Sequence, residues 1–498
     1  MYHIRKTKTA SGATAVQVVN YIERKITLAK HIGSGRTNEE IAALLKIAET
    51  WIKKISRQQG LFDKDENQKS NLALLDKCEY IGFRYNFIYE ILIKLLDRFE
   101  FTAIGNALLH DLVIMRIIQP ASKLQSLELL KEYFGISHRR QTFYETLPKL
   151  LPLKDTIEKL TVKLAKTELA FDFSLVFYDV TTLYFESFSA DELRKNGFSK
   201  DSKSQQPQIV IGLMVTAQGF PIAYEVFPGN KFEGHTLIPV VKSFKDKHQI
   251  TTLTVVADAG MISMENVTAL KESGLQYIVG ARLGNITPKT LASISGTLSR
   301  RSGATTRLTT LYGDLICDFS EKRYAKDKRE MEKQIKKAEE LLKNPKETKR
   351  TKFIKNIDKT TYEMNNALIE KTKLLLGIKG YYTNLDSSVS DQTIISHYHN
   401  LWHVEQAFRV AKNDLETRPI FHFKEDAIKV HMLICFMALA VSKYMEIQTD
   451  KSLQHIIRTL KQVTDARLLN TLNGEEIIMR AKISGEAKNI LEKIGLSY

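Results

Sequence analysis

The sequence predicts an α/β fold built on a mixed sheet with helices on its faces. Three observations predict it. Between residues 171 and 283 short apolar runs alternate with amphipathic stretches. Their order is strand, two-strand hairpin, helix, strand, helix, strand, a meander running on into α/β units. And 498 residues with 43% apolar side chains suffice for a large core and more than one domain.

Each element has its own signal. "SLVFYDV" (174–180) is a short β run. "QIVIGLMVTA" (208–217) and "FPIAYEVF" (220–227) flank Gln218-Gly219, the composition of a hairpin turn. "HTLIPVVKSFKDK" (235–247) reads as a helix and "TLTVVAD" (252–258) as a buried strand. "SMENVTALKESG" (263–274) reads as a helix capped by Ser263 and ended by Gly274, and "LQYIVGA" (275–281) as a further strand. This order resembles the ribonuclease-H-like fold, which needs one more helix. "DQTIISHYHNLWHVEQAFRVAKNDL" supplies it as one long amphipathic helix, with Ile395, Tyr398, Trp402, Glu405 and Phe408 near one stripe. Trp402 and Phe408 are expected in the core.

The flanking regions divide as follows. Residues 1–60 form a small β-rich and helical start: 1–35 alternate apolar and polar, and Thr37 and Glu40 have capping-box spacing ahead of a helix. A helix–turn–helix is disfavoured by the strand pattern before it. Residues 57–71 are polar and suit a linker. Residues 72–170 are largely helical, with a break at Pro120, and are a candidate DNA-binding region. The catalytic core occupies 171–283 and 391–445, split by an insertion at 284–390. Within it 321–350 carry twelve Lys/Arg against seven Asp/Glu, a solvated helix or a DNA-facing one. Residues 446–498 are expected to be helical.

The formal net charge is +16, which suits a polyanionic partner, nucleic acid above all. Three scattered cysteines, Cys78, Cys317 and Cys435, exclude a CxxC metal or redox motif and fit a reducing compartment. The opening residues lack a signal peptide's apolar segment. "VHMLICFMALAV" (430–441) falls short of the roughly 20 residues that span a bilayer and reads as a buried helix. A soluble cytoplasmic protein with no membrane partner is expected.

The chemistry lies in carboxylates set into apolar surroundings. Asp179 ends the first core strand and Asp258 follows the fourth. In a ribonuclease-H-like sheet these strands are neighbours, so both carboxylates reach one end of the sheet, and Glu405 lies on the late helix that packs over it. Converging carboxylates repel one another in a low dielectric, and a divalent cation resolves that repulsion. Hard oxygen ligands suit Mg2+ or Mn2+. Two such ions about 4 Å apart activate water or a hydroxyl and stabilise the leaving oxygen of a phosphodiester. Each aspartate alone would also serve as a strand-end or turn residue; the pair on adjacent strands favours the metal site. Glu186 and Glu225 are rival carboxylates. His399 and His403 have zinc-compatible spacing near His397, but no HExxH pattern or nearby cysteine accompanies them. "FPGNKFEGHTL" (227–237) is a glycine-containing bend without a phosphate-loop pattern. Lys200 and Lys203 suit either a solvated loop or a DNA contact.

"YDVTTLYFES", "VADAGMIS" and "YHNLWHVEQAFRVAKNDLETRPIFHFKEDAIKVHMLICFMALA" resemble the three catalytic blocks of bacterial insertion-sequence DDE transposases. The similarity is strongest to the branch with a Tyr-Arg-Glu-Lys signature and a long insertion before the glutamate. The resemblance implies that Asp179, Asp258 and Glu405 bind two Mg2+ or Mn2+ ions, and that Tyr398 and Lys412 hold phosphates near the scissile bond. The signature arginine is missing: Leu401 stands in its place, and either a nearby cation such as Arg409 or Arg418 substitutes or this branch dispenses with that contact. The implied function is metal-dependent cleavage at element ends and strand transfer into target DNA. The implied partners are terminal inverted repeats, target DNA and a second copy of the chain, in a bacterial cytoplasm at the nucleoid. The rivals are a catalytically silent DNA-end-binding protein and a metal-dependent nuclease without strand transfer.

Overall fold

The computed structural model describes residues 2–22, 25–56, 77–199, 203, 205–261, 263–343, 351–356 and 362–497. The linker expected at 57–71, and Lys200, lie outside them. The chain forms two compact units: 1–94 with 127–137 and 454–498, and 95–126 with 138–453.

The first unit opens with an antiparallel sheet of β1 (Tyr2–Lys8), β2 (Thr14–Ile22) and β3 (Lys25–Gly35), followed by α1 (Asn38–Ser56). The capping box forms as its spacing predicts: the Glu40 amide donates to Thr37 Oγ1 at 3.2 Å, and the Thr37 amide donates back to Glu40 Oε2 at 3.2 Å. Val16, Val18, Ile32, Leu44 and Ala48 form the small core between this sheet and helix. The C-terminal region corrects the sequence reading. Between α15 (Leu453–Lys461) and α16 (Gly485–Lys493) it carries β15 (Asp465–Asn470) and β16 (Glu476–Arg480); β15 pairs with β16 on one side and with β4 (Cys78–Arg84) on the other. "DARLLN" is too short and too mixed to show its period without its partners.

The helical stretch consists of α2 (Asn86–Arg98), α3 (Ala107–Ile118), α4 (Lys123–Phe134), α5 (Arg140–Leu150) and α6 (Lys154–Glu168), with Pro120 between α3 and α4.

The second unit is organised by an eight-stranded mixed sheet. Its ribonuclease-H-like part comprises β5 (Leu175–Tyr184), β6 (Gln208–Val215), β7 (Pro221–Pro228), β8 (Thr254–Ala257) and β9 (Gln276–Gly280), with α7 (Leu237–His248) before β8 and α8 (Met264–Glu272) after it. Across the sheet these strands lie in the order β7-β6-β5-β8-β9, antiparallel through the meander and parallel from β5 to β9. β6 is buried along its whole length, as are β8 and nearly all of β9, so they read as continuous apolar runs.

Residues 284–390 do not stand apart from this sheet. They extend it with β14 (Ile378–Thr383), which pairs with β9, then β11 (Gly313–Phe319) and β10 (Thr305–Thr310). Around these strands lie α9 (Pro288–Thr297), α10 (Glu321–Lys343), the short ladder β12 (Ile354–Asn356) and β13 (Tyr362–Met364), and α11 (Asn366–Leu375). Met331, Ala338, Phe353, Ile369 and Leu376 form a local core there.

The single late helix is a second correction. It is broken into α12 (Asp391–His399) and α13 (Trp402–Arg409), and ends in a π-helical turn at Val410–Asp414. The break at 400–401 takes His399 and His403 out of helical i, i+4 register. It also leaves Trp402 half exposed instead of in the core, while Phe408 is buried as expected. α14 (Glu425–Thr449) then crosses the unit. It is long and apolar enough to span a membrane by composition, but 89% of that window is buried within the protein. A helix apolar on every face belongs in a core, and α14 is one.

Candidate active site

Asp179 lies within β5, not at its end, because the strand runs on to Tyr184 in antiparallel register with β6. Its parallel pairing with β8 does stop beside it, at Tyr178 opposite Ala257. Asp179 and Asp258 are therefore the next residues on two adjacent strands, where β8 gives way to a turn. This explains a carboxylate inside an apolar run. Tyr178 points the other way into the core and is fully buried, whereas Asp179 is only half buried.

Tyr398, on α12, ties the acids together. Its hydroxyl donates to Asp258 Oδ1 at 3.2 Å. Burial raises the phenol's pKa well above its ordinary value, and the negative charges of Asp258, Glu405 and Asp179 raise it further. Tyr398 is thus held as a neutral donor to Asp258. The hydroxyl gets this close because β9 carries Gly280 beneath it: a Cβ at 280 would overlap the Tyr398 oxygen and crowd the Ala259 amide. Glu405 follows on α13 and is exposed, as is Asp258.

The donor set is one a hard divalent cation accepts: carboxylate oxygens, one on a strand, one in the turn just past a strand and one on a helix. It is not drawn together as placed, since among the described residues no three Asp, Glu, His or Cys groups are arranged to hold a metal ion.

The remaining sequence candidates separate. Lys412 sits in the π-helical turn and lines an apolar pocket with Thr181 and Leu183, which share the Asp179 face of β5. Arg409 closes α13 and is exposed. Arg418 stacks over the Tyr184 ring at 5.8 Å, five residues along β5 from Asp179 and so roughly 16 Å away along the strand. Leu401 is buried at the helix break. Glu225 pairs with Lys154 at 3.3 Å and Glu186 accepts from Gln206 at 3.3 Å. Lys203 lies over the Tyr184 ring at 5.3 Å.

Two neighbours escaped the sequence reading. Glu233, in the 227–237 bend, flanks the turn after Asp258: a Cβ on Gly260 would stand 3.3 Å from its Oε2. Lys379, on β14, places its ammonium 4.5 Å from the centre of the Tyr398 ring. The bend itself signalled Glu233, but nothing local signalled Lys379, whose place depends on the insertion joining the sheet.

Residues 171–441 match the family model described as "Transposase DDE domain". No curated protein matches the chain. A solved structure, the cryo-EM structure of a piggyBac transposase synaptic complex with hairpin DNA, is similar over 70% of this chain and 68% of that one, at 11% identity and a TM-score of 0.39. Because the family match spans more than half of the sequence and takes in both strand aspartates and the glutamate helix, the chain belongs to the transposase DDE-domain family.

Proposed function

We propose that this chain is the transposase of a bacterial insertion sequence, of the branch with the Tyr-Arg-Glu-Lys signature. It cuts phosphodiester bonds at the element's ends and joins the freed 3′-hydroxyl to target DNA. The observation that carries this reading is that Asp179 and Asp258 directly follow the last paired residues of the adjacent strands β5 and β8, with the Tyr398 hydroxyl bonded to Asp258, within a matched transposase domain.

In this reading Asp179, Asp258 and Glu405 hold a pair of Mg2+ or Mn2+ ions. When bound, the ions supply activation of the attacking oxygen and stabilisation of the leaving one. The protein's own part is positional. β5 fixes Asp179 on backbone paired with β6, the end of β8 places Asp258 next to it, and the Tyr398 hydroxyl fixes the orientation of Asp258. Lys412 and Arg409 take phosphate oxygens of the substrate. The +16 excess draws DNA to the surface, and pairing two element ends calls for a homodimer.

Labelled DNA carrying the element's terminal repeats, incubated with Mn2+, tests the proposal. Wild type nicks it at the end and yields joined products with a supercoiled target. Asp179→Ala, Asp258→Ala and Glu405→Ala each lower cleavage on the order of 100-fold or more while retaining end binding. Binding without nicking by wild type would mean a silent end-binding protein, and nicks without joined products a nuclease. Mn2+ gives a second readout independent of activity: it raises the melting temperature of wild type by mass action and leaves that of the triple alanine variant unmoved.

A further inference from the structure

The signature arginine is absent at Leu401, yet a cation stands at the site from a segment that the signature does not include. Lys379 and Tyr381 are two apart on β14 and therefore share a face. Tyr381 lies opposite Gly280 of β9, the glycine beneath the Tyr398 hydroxyl. The Lys379 ammonium is accordingly 4.5 Å from the Tyr398 ring centre and 5.5 Å from that of Tyr381, a cation–π hold on both. The same Tyr398 ring carries the hydroxyl bonded to Asp258. Asp258 and Glu405 both act on the Lys379 charge, as do Asp318, its cross-strand neighbour on β11, and Arg323 of α10. A half-buried ammonium held by ring faces keeps its N–H donors available for an anion that arrives beside the carboxylates.

We propose that Lys379 binds a non-bridging oxygen of the DNA phosphate at the carboxylate site, supplying from the insertion the cation that Leu401 cannot. This rests on the reading of Asp179, Asp258 and Glu405 as the cleavage centre. The insertion is then part of the active site, because β14 carries a phosphate ligand into it. Its placement on a central strand makes Lys379 a fixed donor instead of a mobile one.

The test uses full-length protein, end DNA and the variants Lys379→Met, Lys379→Arg and Asp258→Ala. Binding is measured in Ca2+ at several salt concentrations and cleavage in Mn2+. Loss of one phosphate contact lowers the slope of log K against log salt by about 1. The proposal expects that change for Lys379→Met together with at least about tenfold slower cleavage, and recovery of both in Lys379→Arg. An unchanged slope in a folded Lys379→Met protein overturns it, whether or not cleavage falls, because a lysine that merely supports Tyr398 or neutralises Asp318 would leave the slope alone. Asp258→Ala separates the two levels of the argument. If it cuts like wild type, the cleavage centre is misassigned, and the Lys379 slope still decides the phosphate contact.

Discussion

Gly280 and Tyr398 work as a pair. The strand residue has no side chain so that the helix residue's hydroxyl reaches Asp258. Gly280→Ala should push the phenol off the carboxylate, costing about 1–3 kcal/mol in stability through overpacking and slowing cleavage more than tenfold. Tyr398→Phe removes the donor and leaves the packing, so a cleavage assay alongside a melting curve separates the two effects. Its rate falls while its stability changes by less than that of Gly280→Ala. The sequence singles out the three acids because each lies in a distinctive block: an aspartate in a β run, another at a strand-to-turn junction, and a glutamate between Tyr398 and Lys412; their role as one site is the proposal. Lys379 was not legible. A lysine in "GIKGYYTN" gains its meaning only from the register that sets Tyr381 against Gly280, which no local pattern encodes.

At the level of elements, the break between α12 and α13 and the π-helical turn after them are what the periodic pattern could not show. Apolar residues at helical spacing continue through 391–415, so the sequence supports one helix. In the structure Leu401 is buried at the break, and the chain after Asp414 is held by groups from other helices. Arg116 of α3 donates to the Ala121 carbonyl at 2.9 Å and to the Leu415 and Glu416 carbonyls at 3.4 Å each. The buried Lys123 amino group, its pKa held well below the ordinary lysine value by burial, donates to His431 Nδ1 at 2.9 Å, which leaves Nε2–H to donate to the Thr417 carbonyl at 3.2 Å. These contacts anchor the segment directly after Lys412. Arg116→Ala should therefore lower stability by roughly 1–3 kcal/mol by leaving buried carbonyls unsatisfied. It should also weaken cleavage although it lies outside the carboxylate site. Chemical denaturation and the cleavage assay check the two parts.

On the scale of the whole molecule, the order of strands in the catalytic sheet was readable because five apolar runs and two helices fall in a sequence with few topological solutions. The extension of that sheet by β14, β11 and β10 was not, since long-range pairing leaves no mark on composition. The second unit also half-buries imidazoles that resist protonation. Burial, with Lys247 nearby, lowers the His248 pKa from 6.5 to about 4; burial, with Lys123 and Arg116 nearby, does the same for His422. Between those values the unfolded chain binds protons that the folded chain does not. Stability is therefore full above about pH 6.5, declines as pH falls toward 4, and stops declining from this source below that. Each imidazole contributes roughly 1–3 kcal/mol to the loss. Urea denaturation at pH 7.5 and pH 5 should show it, and His248→Gln should flatten the dependence.

The most direct test of the central claim asks where a divalent ion sits. Protein loaded with Fe2+ in place of Mg2+ and exposed to ascorbate and peroxide breaks its own backbone beside the bound ion. The account predicts fragments ending near residues 179, 258 and 405 together, all suppressed by excess Mg2+ and lost in Asp258→Ala. Cuts confined to other segments, or cuts near only one of the three positions, would contradict it.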